Sequence, residues 1–245
     1  MPTALFLSPH LDDAAFSCGG TVAQLADAGW RCVVATAFTA SVPDPQGFAL
    51  ACQLDKGLGP EVDYMALRRD EDAAACALLG AEPRWLDLPE APHRGYGSAS
   101  ALFGPVADGD EVWRPLAGTI AALLDELRPA RVYAPQGLGS HVDHRQLIRA
   151  ALEAVPQGAV RFWRDAPYVI RDPVARPDAL VPAGCPERVE IAAGLERKLA
   201  ASCAYASQIG FQFGGADACA EAVRALAWRE GGDAPAELFV AAGRG

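Results

Sequence analysis

At 245 residues, 51% hydrophobic and 21% charged, the chain has globular composition and enough length to bury a core without disulfides, which excludes disordered and collagen-like classes. Its 21 Lys+Arg against 31 Asp+Glu leave a formal net charge of −10. A surface that acidic repels phosphate backbones and anionic lipid, so it argues against nucleic-acid and membrane partners and for a small-molecule substrate.

The first residues, Met1-Pro2-Thr3-Ala4-Leu5-Phe6-Leu7, carry no basic region, and His10 and Asp12 interrupt the apolar run after them. Neither a signal peptide nor a spanning helix is predicted there, and no later stretch reaches the roughly 18 apolar residues of a membrane span. Apolar runs of strand length then alternate with amphipathic windows. That pattern predicts α/β architecture: a Rossmann-like, mostly parallel sheet flanked by helices, in one domain over 1–245. A strand over 3–7 leads into a polar loop and a helix over 21–28, followed by a strand over 32–38. A Pro/Gly-rich loop fills 41–60, a length typical of functional loops. A helix over 64–79 closes at Gly80, a strand follows over 84–88, and a second long loop fills 89–109. The pattern continues with a helix over 110–127, a strand over 131–135, a helix over 143–155 and a strand over 160–163. The less regular C-terminal third predicts helices over 195–206 and 216–228. The seven cysteines are odd in number and form no CxxC pair, and most stand among alanines and valines. They read as small buried hydrophobes in a reducing, cytoplasmic compartment.

Two loops concentrate the chemistry. The first strand runs into Ser8-Pro9-His10-Leu11-Asp12-Asp13-Ala14, which puts an imidazole and two adjacent carboxylates at a strand's carboxyl end, where α/β sheets form their ligand crevice. His10 and Asp13 are three residues apart and can point at a common ion. Asp12 and Asp13, as neighbours, must diverge, so one can ligate while the other faces a bound water. The 131–135 strand empties into Gly139-Ser140-His141-Val142-Asp143-His144. Three of the four histidines in the chain therefore fall in these two loops. Two histidines and one carboxylate with an open position make a catalytic zinc pattern, and the same set also holds Fe(II). The competing structural reading is that these residues cap helices or face solvent.

Pro9-His10-Leu11-Asp12-Asp13 with the trailing Gly19-Gly20, Arg68-Arg69-Asp70-Glu71 opening a helix that ends Leu78-Leu79-Gly80, and His141-Val142-Asp143-His144 together resemble the PIG-L (LmbE-like) family of zinc-dependent de-N-acetylases. The likeness spans residues 3–155. It implies metal ligation by His10, Asp13 and His144, with one Zn²⁺ per chain and Fe²⁺ as the alternative ion. It also implies Asp12 as general base, His141 as the group polarising or protonating the amide, Asp143 orienting His141, and Arg68 in the substrate-binding region. Leu11 and Ala14 depart from the commonest form of the first motif, and Gly139 stands where mycothiol-pathway members carry a tyrosine. Tyr205-Ala206-Ser207-Gln208 resembles a C-terminal family segment near the site. Trp85, Tyr96 and Trp113 are candidate cavity walls, with buried core the competing placement for the two tryptophans, and His93 reads as a surface residue. The expected activity is removal of the N-acetyl group from an N-acetylglucosamine-type amino sugar or glycosylated small molecule. The alternative is a nucleotide-binding or non-catalytic Rossmann-like module, although the segment lacks Gly-x-Gly-x-x-Gly.

Overall fold

The computed structural model describes residues 1–242. The chain begins β1 (Thr3–Ser8), α1 (Asp13–Asp27), β2 (Arg31–Phe38), α2 (Gly47–Leu54), α3 (Tyr64–Leu79) and β3 (Ala81–Leu88). A 3₁₀ turn (Ala91–Arg94) precedes α4 (Ala99–Leu102), α5 (Trp113–Leu127), β4 (Arg131–Pro135), α6 (Val142–Ala154), β5 (Val160–Trp163) and α7 (Tyr168–Arg171). The last third holds β6 (Gly184–Glu190), α8 (Leu195–Cys203), α9 (Ala206–Phe213), α10 (Ala216–Gly231) and β7 (Ala236–Ala242).

The strands form one seven-stranded sheet in the order β3-β2-β1-β4-β5-β7-β6. The first five are mutually parallel, and β7 and β6 extend the sheet with antiparallel pairing. All six residues of β1 are buried, as befits a central strand covered on both faces. Its alternation feeds two cores: Ala4 and Phe6 join the layer of α1, α3, α8 and α10, while Leu5 and Leu7 join the layer of α5 and α6. β1 has β2 on one side and β4 on the other, so the strand order reverses there. Loops after β1 and β4 border the crevice at such a switch point.

Several boundaries differ from the sequence-based expectation. α1 starts at Asp13 rather than at residue 21, so most of the expected polar loop is helix, broken at the non-helical Cys18 (φ −134°, ψ 20°). Gly20 is required at that break, because a Cβ would stand 2.6 Å from Ile191. The 41–60 loop contains α2, and the 89–109 loop contains the 3₁₀ turn and α4. The helix expected to run to 206 ends at Cys203, and α9 follows as a separate helix. The two strands β6 and β7 carried no clear period. β6 is a mostly exposed edge strand with Pro186 in it, a position where a missing N–H is tolerated.

Cys18, Cys32, Cys76 and Cys219 are buried, whereas Cys185 lies exposed on β6. Among the described residues no helix is long and apolar enough to cross a membrane.

Candidate active site

The loop after β1 and the start of α6 bring His10, Asp13 and His144 together. His10 Nδ1 lies 3.2 Å and His144 Nε2 3.3 Å from the same oxygen, Asp13 Oδ2. The far nitrogen of each imidazole meets a carboxylate of its own: His10 Nε2 is 2.9 Å from Asp143 Oδ2, and His144 Nδ1 is 2.7 Å from Asp165 Oδ1. Such carboxylate partners fix the tautomer in which the near nitrogen offers its lone pair to a metal. His144 Nε2 is buried and has no hydrogen-bond partner. An orphaned imidazole nitrogen, a second imidazole and a carboxylate oxygen converging on one point fit a divalent ion, as does the donor set itself. Burial opposes charge on His144, yet the Asp13 and Asp165 carboxylates outweigh it and raise its pKa. Burial would likewise raise Asp13, but the two imidazoles hold it well below the usual carboxylate range. The cluster thus favours positive charge at its centre.

Asp12 points elsewhere. It precedes α1 with φ 155°, a backbone region that L-residues rarely adopt, and its side chain caps nothing. The helix capping that was the competing reading for these carboxylates falls instead to Ser8, whose Oγ accepts from Ala14 N–H. Asp12 Oδ2 accepts from the Gln212 amide at 3.2 Å and faces the Arg68 guanidinium at 3.6 Å. Burial pushes the Asp12 carboxyl up, and the Arg68 charge only partly opposes this. Arg68, on α3, lines the cavity, but its guanidinium is engaged by Glu90 at 2.6 Å and the Leu11 carbonyl at 3.1 Å. Glu71, one turn on, receives Ser207 N–H and Oγ–H and thereby docks the start of α9 against α3.

His141 is the N-cap of α6, its Nδ1 accepting from Asp143 N–H at 3.2 Å. That bond leaves Nε2 as the donor of a neutral ring, and burial holds the imidazole down to about 3. His141 is therefore a hydrogen-bond donor rather than a resident acid. The expected orienting contact from the Asp143 side chain is not what the structure contains. The Asp143 carboxylate turns instead to His10, to Ala91 N–H at 3.1 Å and to Arg94 at 2.8 Å, so its hydrogen bond to His141 comes from its backbone N–H and its carboxylate reaches that ring by charge alone. The start of α6 meets the 3₁₀ turn here, and Ala91 N–H takes one Asp143 oxygen while Arg94 takes the other.

His10, Asp12, Asp13, Arg68, His141 and Asp143 line a cavity of about 290 Å³ that residues from α2, α3, α4, α7 and α9 also wall. Gln208 lines it, in accord with the family-like segment 205–208. His93, expected at the surface, is half-buried in the wall. The three aromatics offered as walls lie elsewhere: Trp113 packs in the α5–α6 core, Tyr96 is buried against Asp110, and Trp85 is half-exposed and bonded to Asp72. Gly139 has φ +85°, and a Cβ there would collide with Tyr168, whose ring stands against His144 at a centroid distance of 5.4 Å. Sequence reasoning missed Asp165, Arg94 and Gln212. Asp165 was within reach, because it is a carboxylate two residues past the carboxyl end of β5. The Gly19-Gly20 turn is no nucleotide site: the Glu237 carboxylate accepts the N–H groups of Gly20 and Thr21 and pairs with buried Lys198 at 2.7 Å.

Comparison with known proteins agrees with this geometry. Residues 5–155 match the PIG-L family, described as GlcNAc-PI de-N-acetylase, and the chain belongs to that family. It is 34% identical to the 2'-N-acetylparomamine deacetylase of Streptomyces fradiae over 167 residues, which cover 67% of this chain and 57% of that protein. The match thus spans little more than half the relative's length. Over nearly the whole chain the fold is similar to the crystal structure of the A40926 pseudoaglycone deacetylase Dbv21 (TM-score 0.83, 27% identity, 97% and 96% of the two chains covered). It is also similar to a deacetylase from the teicoplanin biosynthesis pathway (TM-score 0.84, 25% identity, 97% and 96% covered).

Proposed function

We propose that this protein is a metal-dependent N-deacetylase that hydrolyses the acetamide of an N-acetylglucosamine-type amino sugar, free or in a glycosylated small molecule. The observation that carries the reading is the convergence of His10 Nδ1, Asp13 Oδ2 and buried His144 Nε2 at the edge of the cavity that His10, Asp12, Asp13 and His141 line. Relatives named as deacetylases of 2'-N-acetylparomamine and of A40926 pseudoaglycone support it. His10, Asp13 and His144 would hold the ion, with zinc preferred over iron(II) on the family likeness. A divalent ion there supplies Lewis acidity that lowers the pKa of water from 15.7 to about 7.

The residues divide the remaining work. Asp12, with Oδ2 held by Gln212 and Arg68, takes a proton from the attacking water as general base. His141 Nε2–H donates to the amide oxygen as negative charge develops there, a donor set in advance by the Nδ1 contact. The water oxygen bonds to the acetyl carbon, the C–N bond breaks, and the departing amine receives the proton that Asp12 held. Arg68 restrains Asp12 at the wall where the sugar would lie. The reading carries with it a cytoplasmic setting, supported by the four buried cysteines.

The test is metal analysis together with acetate release from N-acetylglucosamine and its glycosides. About one zinc per chain is expected, with activity lost to a chelator and restored by Zn²⁺. Restoration by Fe²⁺ alone would assign iron, and full turnover in metal-free protein would overturn the proposal.

A further inference from the structure

The mouth of the cavity has a composition that the chemistry of an acetamide does not require. Of nine phenylalanines in the chain, two are exposed among the described residues, Phe103 at 45% and Phe211 at 64%, and both line this cavity. Exposed aromatics that gather at one opening mark a contact site rather than ordinary surface. Phe103, just after α4, sets its ring edge-on to His141 at 5.3 Å and to Tyr168 at 6.0 Å, so it stands directly beside the proposed amide-binding donor. Phe211, on α9, precedes Gln212, the residue that holds Asp12. Half-buried Phe48 from α2 and Leu102 from α4 continue the apolar wall.

Charge at the mouth narrows the class of ligand. Lys56 Nζ lies 5.2 Å over the Phe211 ring and 5.4 Å over Tyr64, and Arg171 adds a second cation. Among wall carboxylates away from the reacting centre, Glu90 is paired with Arg68, which leaves Asp55 and the ionised Asp63 that caps α3. Two cations facing two carboxylates leave the mouth no excess negative charge to draw in a polyamine. At about 290 Å³ the cavity lies just below the usual range of small-molecule sites, so a sugar seated over the ion would place its anomeric substituent among these aromatics.

We infer that the mouth is an aglycone subsite selecting an aromatic or other apolar, non-cationic group attached to the N-acetylated sugar. The inference rests on the deacetylase reading for the orientation of the sugar, and a binding measurement separates the two. Turnover is compared for methyl, 2-naphthyl and polycationic aminocyclitol glycosides of N-acetylglucosamine. Calorimetry with methyl and 2-naphthyl glucoside, which contain no acetamide, reads the subsite alone.

The naphthyl group is expected to lower KM and Kd about tenfold relative to methyl, on the scale that burying part of an aromatic ring yields. The aminocyclitol glycoside is expected to be the poorest substrate. Phe211→Ser, a change at an exposed position that circular dichroism can show to be folded, should cut the naphthyl-to-methyl ratio severalfold, and Phe103→Ser should do the same. Tight naphthyl binding without any turnover would end the deacetylase reading and keep the apolar subsite. Equal values for naphthyl and methyl, or preference for the polycation, would overturn the subsite.

Discussion

His10 Nε2 stands 2.9 Å from the carboxylate of Asp143, a residue 133 positions later in the chain, and Arg94 grips the other oxygen of that carboxylate at 2.8 Å. The partner of the first-loop imidazole is thus supplied by the start of α6 and anchored from the 3₁₀ turn. Asp143→Asn should weaken metal affinity by about 10–100-fold, the usual effect of losing such a partner. Its backbone N–H still serves His141, so kcat at saturating metal should fall far less. Competition against a chelating dye measures the first quantity, and unchanged affinity would mean the carboxylate serves another group.

Gly20 is a tight point in the frame around the site. A methyl group there would press on Ile191 at 2.6 Å, while the residue's N–H is committed to Glu237. Gly20→Ala should cost about 1–3 kcal/mol by overpacking. Thermal unfolding reads this directly, and an unchanged Tm would show that Ile191 can move aside.

Acid should loosen the 89–112 segment. Burial would raise the Asp110 carboxyl, but Arg94 at 3.1 Å and the Tyr96 hydroxyl at 2.8 Å outweigh it and hold the group below the usual range. A carboxyl with a depressed folded-state pKa contributes stability that is fully present above its unfolded value of about 3.9 and is lost as pH falls through the folded value. Asp110→Asn should therefore be less stable at neutral pH and show a shallower loss below about pH 4. Denaturant unfolding across that range measures both, and parallel slopes for the two proteins would contradict the linkage.

The five parallel strands and the longer helices were legible because their signals are local, whereas α2, α4, β6 and β7 were not. The 64–79 helix ends at a left-handed Gly80, and the 131–135 and 160–163 strands are short apolar runs with clear stops. The start of α1 was not legible, because Ser17-Cys18-Gly19-Gly20 reads as loop until Ile191, Lys198 and Glu237 are known to pack against it. Histidines falling at strand ends pointed to a metal site, while the choice of His10, Asp13 and His144 as its ligands came from the PIG-L likeness. Which carboxylate serves which imidazole could not be anticipated, since only the folded chain brings Asp143 to His10 and Asp165, past β5, to His144. Gln212 reaches Asp12 across 200 residues, and no spacing announces such a contact.

The central claim is that two adjacent aspartates do different work, with Asp13 holding the ion and Asp12 moving the proton. Metal content and kcat measured on the same preparations of Asp12→Asn and Asp13→Ala test it most directly. Asp12→Asn should keep about one metal per chain and lose about 10²–10⁴-fold in kcat, the range for a general base. Asp13→Ala should lose the metal first and activity with it. Metal lost from Asp12→Asn but retained in Asp13→Ala would contradict the assignment.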